Sequence, residues 1–181
     1  MVEETNYCQL TKLAVEDDKA FTELYQAFFR RVYNFVYANT KNSADADELT
    51  NDIFYAVFKN LDKYNDDFYF SAWLFTIARH MIIDFHRRKN KQKQVVTEDW
   101  EEFLTESASE SEQPEVQLLI KEEKRALLNA IEKLKERERE VIELKYFADC
   151  SNVEIAEILN LTPSNVGIIL FRALKKLKEF L

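Results

Sequence analysis

Apolar residues return every three or four positions along most of this chain, the spacing that gathers side chains on one face of an α-helix. Phe21, Leu24, Tyr25, Phe28, Val32, Phe35 and Val36 form one such stripe. Asp17 and Asp18 precede it, where acids favour a helix N-terminus. A second stripe, Leu49, Ile53, Val57 and Leu61, follows Ser43, a residue suited to capping, with Asp45, Asp47 and Glu48 in its first turn. A third helix is expected from about Ser71, with Trp73, Leu74, Ile77, Ala78 and Met81 on one face, and a weaker one around Leu10 to Val15. Downstream, 116–134 and 136–147 keep the helical period, and two shorter helices end the chain. The expected fold class is all-α.

Composition removes the alternatives. The chain has one Gly (Gly167) and two Pro (Pro114 and Pro163) in 181 residues, too few for the turns of a sheet protein or for a loop that cradles phosphate. With 46% hydrophobic and 13% aromatic residues it can bury real cores, so global disorder is excluded.

Charge locates a boundary. The net charge is −8, and the stretch from Glu98 to Glu115 holds eight acids and no base, which leaves 25 basic against 25 acidic residues elsewhere. That stretch, within TEDWEEFLTESASESEQPE, reads as an acidic flexible linker over 95–115 between two small helical domains, 1–94 and 116–181. Each is near the lower size limit for independent folding.

No apolar run approaches the length of a membrane span, and MVEETNYCQL lacks the basic and apolar parts of a signal peptide. A cytoplasmic protein without membrane insertion is expected. Cys8 and Cys150 have no CxxC partner, and His80 and His86 would not share a helix face, so reduced thiols and no metal are expected. With no Ser-His-Asp set and no ligand cluster, no catalytic residue or cofactor is assigned, and the chain is read as not an enzyme.

The stretch NVEIAEILNLTPSNVGIILFRALKKL has the grammar of a helix-turn-helix. Ala156 gives the first helix a small residue where its partner crosses, and Asn160 tolerates left-handed dihedrals at the turn. Thr162 caps the second helix and Pro163 opens it, where its missing N–H costs nothing. Val166 is expected to pack on Ile155 and Leu159, with Ile169, Leu170, Ala173, Leu174 and Leu177 also facing the core. Thr162, Ser164, Asn165, Ile168, Arg172, Lys175 and Lys176 are left for groove and phosphates.

A second candidate surface lies upstream. ARHMIIDFHRRKNKQK carries six Lys and Arg against the single acid Asp84, and His80, Arg87 and Lys91 are spaced to lie near one face, a stripe that suits phosphates. Before it, DKYNDDFYF crowds aromatics into a loop. Phe68 and Tyr69 suit the capture of unstacked bases, while Phe70 and Trp73 continue the core stripe.

Taken together these residues resemble the extracytoplasmic-function sigma factors of the sigma-70 family. NSADADELTNDIFYAVFKNLDKY with FSAWLFTIARHMIIDFHRR is similar to the family's domain 2, and LKEREREVIELKYFADCSNVEIAEILNLTPSNVGIILFRALKKL to its helix-turn-helix domain 4. The resemblance implies a dissociable subunit that binds core RNA polymerase and promoter DNA, with an anti-sigma factor as a further partner.

It also implies roles for named residues. Asp45, Glu48, Asn51, Asp52 and Tyr55 would face the polymerase. Asn65, Asp66, Asp67, Phe68 and Tyr69, with Arg79, His80, Arg87 and Arg88, would handle the minus-10 region. The second helix of the helix-turn-helix would read the minus-35 region. The chain departs from the family in carrying Gly167 and Ile169 where a base is usual, Asn51 where Gln is usual, and Asn65-Asp66-Asp67 in place of a Pro-Gly-basic turn. The alternative reading is a helix-turn-helix regulator that acts without core polymerase.

Overall fold

The computed structural model describes residues 2–92 and 114–181, with side chains described outside 1–6, 8, 91–121 and 124. All regular structure among the described residues is helical. The elements run α1 (Val2–Ala14), α2 (Asp18–Thr40), α3 (Ser43–Asn60), a 3₁₀ turn (Leu61–Lys63), α4 (Phe70–Gln92), α5 (Pro114–Glu132), α6 (Glu136–Tyr146), α7 (Asn152–Leu159) and α8 (Pro163–Phe180). The acidic linker expected over 95–115 lies outside the described residues except for Pro114 and Glu115, which begin α5.

Local chemistry sets the helix ends. Asp17 caps α2 by accepting from the Lys19 N–H at 2.9 Å. Lys41 ends α2 in the left-handed region at φ 56°, its N–H bonded to the Tyr37 carbonyl. The cap of α3 is Asn42, not Ser43: its extended backbone (φ −147°) lets its side chain accept from the Asp45 N–H at 3.0 Å, which puts Ser43 inside the helix. α1 is longer than the apolar pattern suggested. Its Tyr7 ring meets Phe28 edge-on at 4.9 Å, and Thr11 and Ala14 are buried.

The predicted stripes of α2 and α3 supply the core, and that of α4 does so in part: Leu74 and Ala78 are buried, Trp73, Ile77 and Met81 pack only partly buried at its edge, and Phe75 and Ile82, outside the expected stripe, are buried. Leu24, Phe28, Val32, Phe35 and Val36 of α2 meet Leu49, Ile53 and Val57 of α3 and Leu74, Phe75, Ala78 and Ile82 of α4. The same cluster continues into the C-terminal helices through Leu128, Val141, Leu144, Ala148, Cys150, Ile155 and Val166. A smaller cluster, Ala130, Ile131, Leu134, Ile142, Ala173 and Leu177, ties α5, α6 and α8 together. Two regions that are each small for independent folding thus share one main core, which raises the fraction of surface each buries.

Polar contacts seal the junction. Arg31 of α2 donates through Nε to the Ala148 carbonyl at 2.8 Å and through Nη2 to the Asp149 carbonyl at 3.0 Å. Its guanidinium lies 4.9 Å from the Phe28 ring centroid and 5.5 Å from that of Phe75. Ser71, at the start of α4, donates to the Glu154 carboxylate, and both side chains are buried. Arg79 pairs with Glu140, and Lys41 with Glu132.

One buried acid at this junction titrates in an unusual range. Glu143 sits among Val141, Ile142 and Leu144 and is 7% exposed; burial pushes its carboxyl up to about 8. Arg139, the Asn39 side chain and Lys41 pull the other way, and Glu140 adds to the rise. The cleft around it, of about 360 Å³, is also lined by Arg79, His86, Glu132 and Glu136.

The unfolded chain ionises this group near 4.5, so the native state holds a proton that the unfolded state releases. Its contribution is therefore intact below pH 4.5 and is lost as pH rises toward 8. Glu143→Gln should flatten the fall in melting temperature between about pH 5 and pH 8 relative to the parent chain. Identical profiles by calorimetry would mean that the carboxyl is ionised in the native state.

Candidate nucleic-acid interface

Each end of the α7–α8 pair is specified by a short-range contact. Ser151 and Glu154 form a reciprocal box at the start of α7, with Glu154 N–H to Ser151 Oγ at 3.2 Å and Ser151 N–H to Glu154 Oε2 at 2.6 Å. Asn160 takes the left-handed conformation at φ 52°, ψ 53°, and the Leu161 N–H returns to the Ala156 carbonyl at 2.8 Å. Thr162 then accepts from the Asn165 N–H at 3.2 Å, and Pro163 opens α8.

The chain bends by 102° between the two helices, within the range of a helix-turn-helix. Val166 and Ile155 are fully buried where the helices meet, beside Ala156 and Leu159.

Of the residues expected to face the minus-35 groove, Thr162, Ser164, Asn165, Ile168, Arg172 and Lys175 are exposed together on the outer side of α8. Lys176 is placed differently. Its ammonium contacts both oxygens of Glu138, at 2.6 and 2.7 Å, and this partner holds the Glu138 carboxyl below its ordinary value. Leu174, expected in the core, is 41% exposed, because Ala173 and Leu177 carry the packing on either side of it. Phe171, which the pattern did not single out, is 72% exposed.

The upstream loop stands on an aromatic platform. Tyr64, Phe70 and Trp73 lie with ring centroids 5.4 to 5.9 Å apart, and the Tyr64 hydroxyl donates to the Phe68 carbonyl at 2.6 Å. Asn65 closes the turn by accepting from the Asp67 N–H at 3.2 Å. Asp66 pairs with Lys12 of α1 at 2.5 Å, and that hydrogen bond keeps its carboxyl below the usual range.

Phe68 and Tyr69 project from the loop, 56% and 37% exposed. The Tyr69 N–H points to Glu157 of α7 at 3.4 Å, so the helix-turn-helix rests against this loop. Burial raises the Glu157 carboxyl while that bond opposes the rise.

The basic residues of α4 do not all gather at the loop. His80, Arg87 and Arg88 are exposed along the helix, with Arg88 roughly 27 Å from its start at 1.5 Å per residue. Asp84 lies within 3.4 Å of Arg87. Arg79 is turned to Glu140 of α6, so in this arrangement it holds the two regions together and does not present a free charge.

On α3, Glu48, Asn51, Asp52 and Tyr55 make an exposed row, with Tyr55 63% exposed. Asp45 is half-buried and paired with Lys89, which withdraws it from that row. Arg31 was missed as a functional position. The available signal was an arginine three residues after Phe28 and four before Phe35, on the buried face itself.

Among the described residues no group of His, Cys, Asp and Glu could hold a metal, and no single helix is long and apolar enough to cross a membrane. Cys150 is buried, and burial pushes its thiol up to about 12, so it is not an activated nucleophile.

Residues 24–92 match the family model for sigma-70 region 2, and residues 124–177 match that for sigma-70 region 4. The chain is 31% identical over 156 residues to the ECF RNA polymerase sigma factor SigM of Bacillus subtilis, covering 86% of this chain and 91% of that protein. It is 31% identical over 157 residues to the RNA polymerase sigma factor YlaC of the same organism, covering 87% and 89%. Among solved structures it is similar to CnrH in complex with the cytosolic domain of CnrY, with a TM-score of 0.69 at 23% identity over 94% of each chain. It is also similar to the sigma factor RpoE in complex with the anti-sigma factor NepR from Bartonella quintana, with a TM-score of 0.65 at 17% identity, covering 90% of this chain and 96% of that one. These two likenesses concern the fold.

Proposed function

This chain belongs to the extracytoplasmic-function sigma factors of the sigma-70 family, and from that premise we propose that its two helical regions divide promoter recognition between them. α8 reads the minus-35 element through Ser164, Asn165, Ile168, Arg172 and Lys175. Phe68 and Tyr69, with His80, Arg87 and Arg88 of α4, handle the minus-10 element. The exposed row on α3 binds core RNA polymerase. The observation that carries this reading is the α7–α8 pair, whose caps, left-handed turn and buried Val166 leave the outer face of α8 free for a major groove.

The same reading makes residues 1–94 the polymerase-binding and minus-10 region, and 116–181 the minus-35 region. It places the protein in the cytoplasm with its polymerase and makes an anti-sigma factor a further partner. Strand separation is driven by binding energy, without bond chemistry by the chain. In the packed arrangement Glu157 and Glu154 hold α7 against the loop and the start of α4. On this reading the two regions part when both elements are engaged at once.

Asp52→Arg combined with Tyr55→Ala should weaken binding to core polymerase by about tenfold or more, since aromatic anchors dominate such interfaces. The melting temperature should hold, because both side chains are exposed. Titration of labelled chain with core polymerase tests this, and unchanged affinity would remove α3 from the polymerase contact.

A further inference from the structure

The outer row of α8 is apolar at its centre. Ser164, Ile168, Phe171 and Lys175 succeed one another at steps of four, three and four, so they share one helical face. Ile168 is 49% exposed and Phe171 72%, and Arg172, Lys175 and Lys178 surround them in exposed positions.

Gly167 lies beside this pair, and a Cβ built there would meet only the Asn152 side-chain nitrogen, at 3.9 Å. Packing therefore does not require the glycine, since a Cβ there would make only an ordinary van der Waals contact. The short polar side chains that could address base edges, Ser164 and Asn165, lie in the first turn; Arg172 and Lys175 flank the apolar pair and can reach either a base edge or a phosphate.

The chemistry of the major groove narrows what such a face can read. Guanine, adenine and cytosine present hydrogen-bond donors and acceptors there, whereas thymine alone adds an apolar group, its C5 methyl. Setting Ile168 and Phe171 against a G·C edge would strip water from polar groups and return no hydrogen bond, which is unfavourable. The flanking cations suit phosphates on either side of the groove and make duplex DNA the occupant by charge.

We propose that α8 selects its promoter element by apolar contact of Ile168 and Phe171 with thymine methyl groups. This rests on the assignment of α8 as the minus-35 reader. Each methyl removed from contact should weaken binding about fourfold, from about 0.8 kcal/mol per buried methyl-sized group.

The test uses holoenzyme assembled from the full chain and core polymerase. Duplexes are first selected from a random library, and each thymine of the selected upstream element is then replaced by deoxyuridine, which removes the methyl and keeps the pairing. Binding of each duplex is measured by anisotropy for the parent chain and for Ile168→Ala and Phe171→Ala, both exposed positions that leave the core intact.

The expected result is a penalty of about fourfold at one or two thymines, each abolished by one of the two substitutions. Penalties that persist in both variants, uridine tolerated at every position, or a selected element without thymine would overturn the proposal while leaving α8 as the DNA reader. Failure of holoenzyme to select any upstream element would instead overturn the assignment of α8 itself.

Discussion

Replacing Arg31 by Ala is expected to lower the melting temperature by about 6–12 °C, the largest effect of any half-buried charged residue at the junction of the two regions. The guanidinium supplies charge-assisted hydrogen bonds to the Ala148 and Asp149 carbonyls and approaches Glu154 at 4.0 Å. Hydrogen bonds to a charged group contribute roughly 1.5–3 kcal/mol each, so a loss of about 3 kcal/mol is a conservative figure. In a chain of this size each kcal/mol shifts the midpoint by about 2–4 °C.

Arg31→Lys should recover only part of the loss, since a single ammonium cannot reproduce a fork that reaches two carbonyls. The same substitution should not impair holoenzyme formation. If the competent form is the parted one, weakening the junction raises its population and the apparent affinity with it. Calorimetry paired with a polymerase titration measures both quantities. A large fall in polymerase affinity alongside the lowered midpoint would mean that the packed arrangement is itself the form polymerase recognises.

Val166→Asp should have the largest functional effect. Val166 is fully buried between α7 and α8, against Ile155 and Leu159. A carboxylate there has no partner, and an unpaired buried charge costs several kcal/mol even after relaxation. The helix pair would lose its fixed bend, and minus-35 recognition with it.

Promoter affinity of the holoenzyme should drop by about 100-fold or more, corresponding to roughly 3 kcal/mol, whereas the exposed row on α3 should still engage core polymerase. Filter binding to promoter and scrambled duplexes, together with co-purification on polymerase, separates the two outcomes. Promoter discrimination that survives Val166→Asp would show that α7–α8 does not supply it.

The helix-turn-helix was legible in the sequence because its determinants are local. A left-handed Asn160, a capping Thr162 and a Pro163 at the first helical position each act within a few residues, and the structure shows each in the expected conformation. The α2 and α3 stripes were legible for a similar reason, since periodicity alone identifies a buried face; on α4, which packs against several helices at once, Phe75 and Ile82 are buried outside the expected stripe. Where two residues could do the same local work the sequence was ambiguous, and Asn42 rather than Ser43 caps α3.

The packing of the two regions on each other could not be read in advance. Arg31 donates to backbone carbonyls more than a hundred positions away, and carbonyls carry no residue signature. The pairings of Arg79 with Glu140 and Lys176 with Glu138 were hidden in the same way, so two residues read as DNA contacts proved to be engaged within the protein. Phe171 was overlooked because an exposed aromatic residue is invisible to a pattern that assigns apolar residues to the core.

In the proposed function, two surfaces of this chain read two promoter elements, and do so in the context of polymerase. Footprinting on a selected promoter, with core polymerase alone, the chain alone and both together, tests it most directly. Two separated protected segments and a defined transcript are expected only when both are present, with the upstream segment lost in Val166→Asp. The same footprint from the chain alone, with transcription indifferent to its addition to core polymerase, would contradict it and identify the chain as a helix-turn-helix regulator that acts by itself.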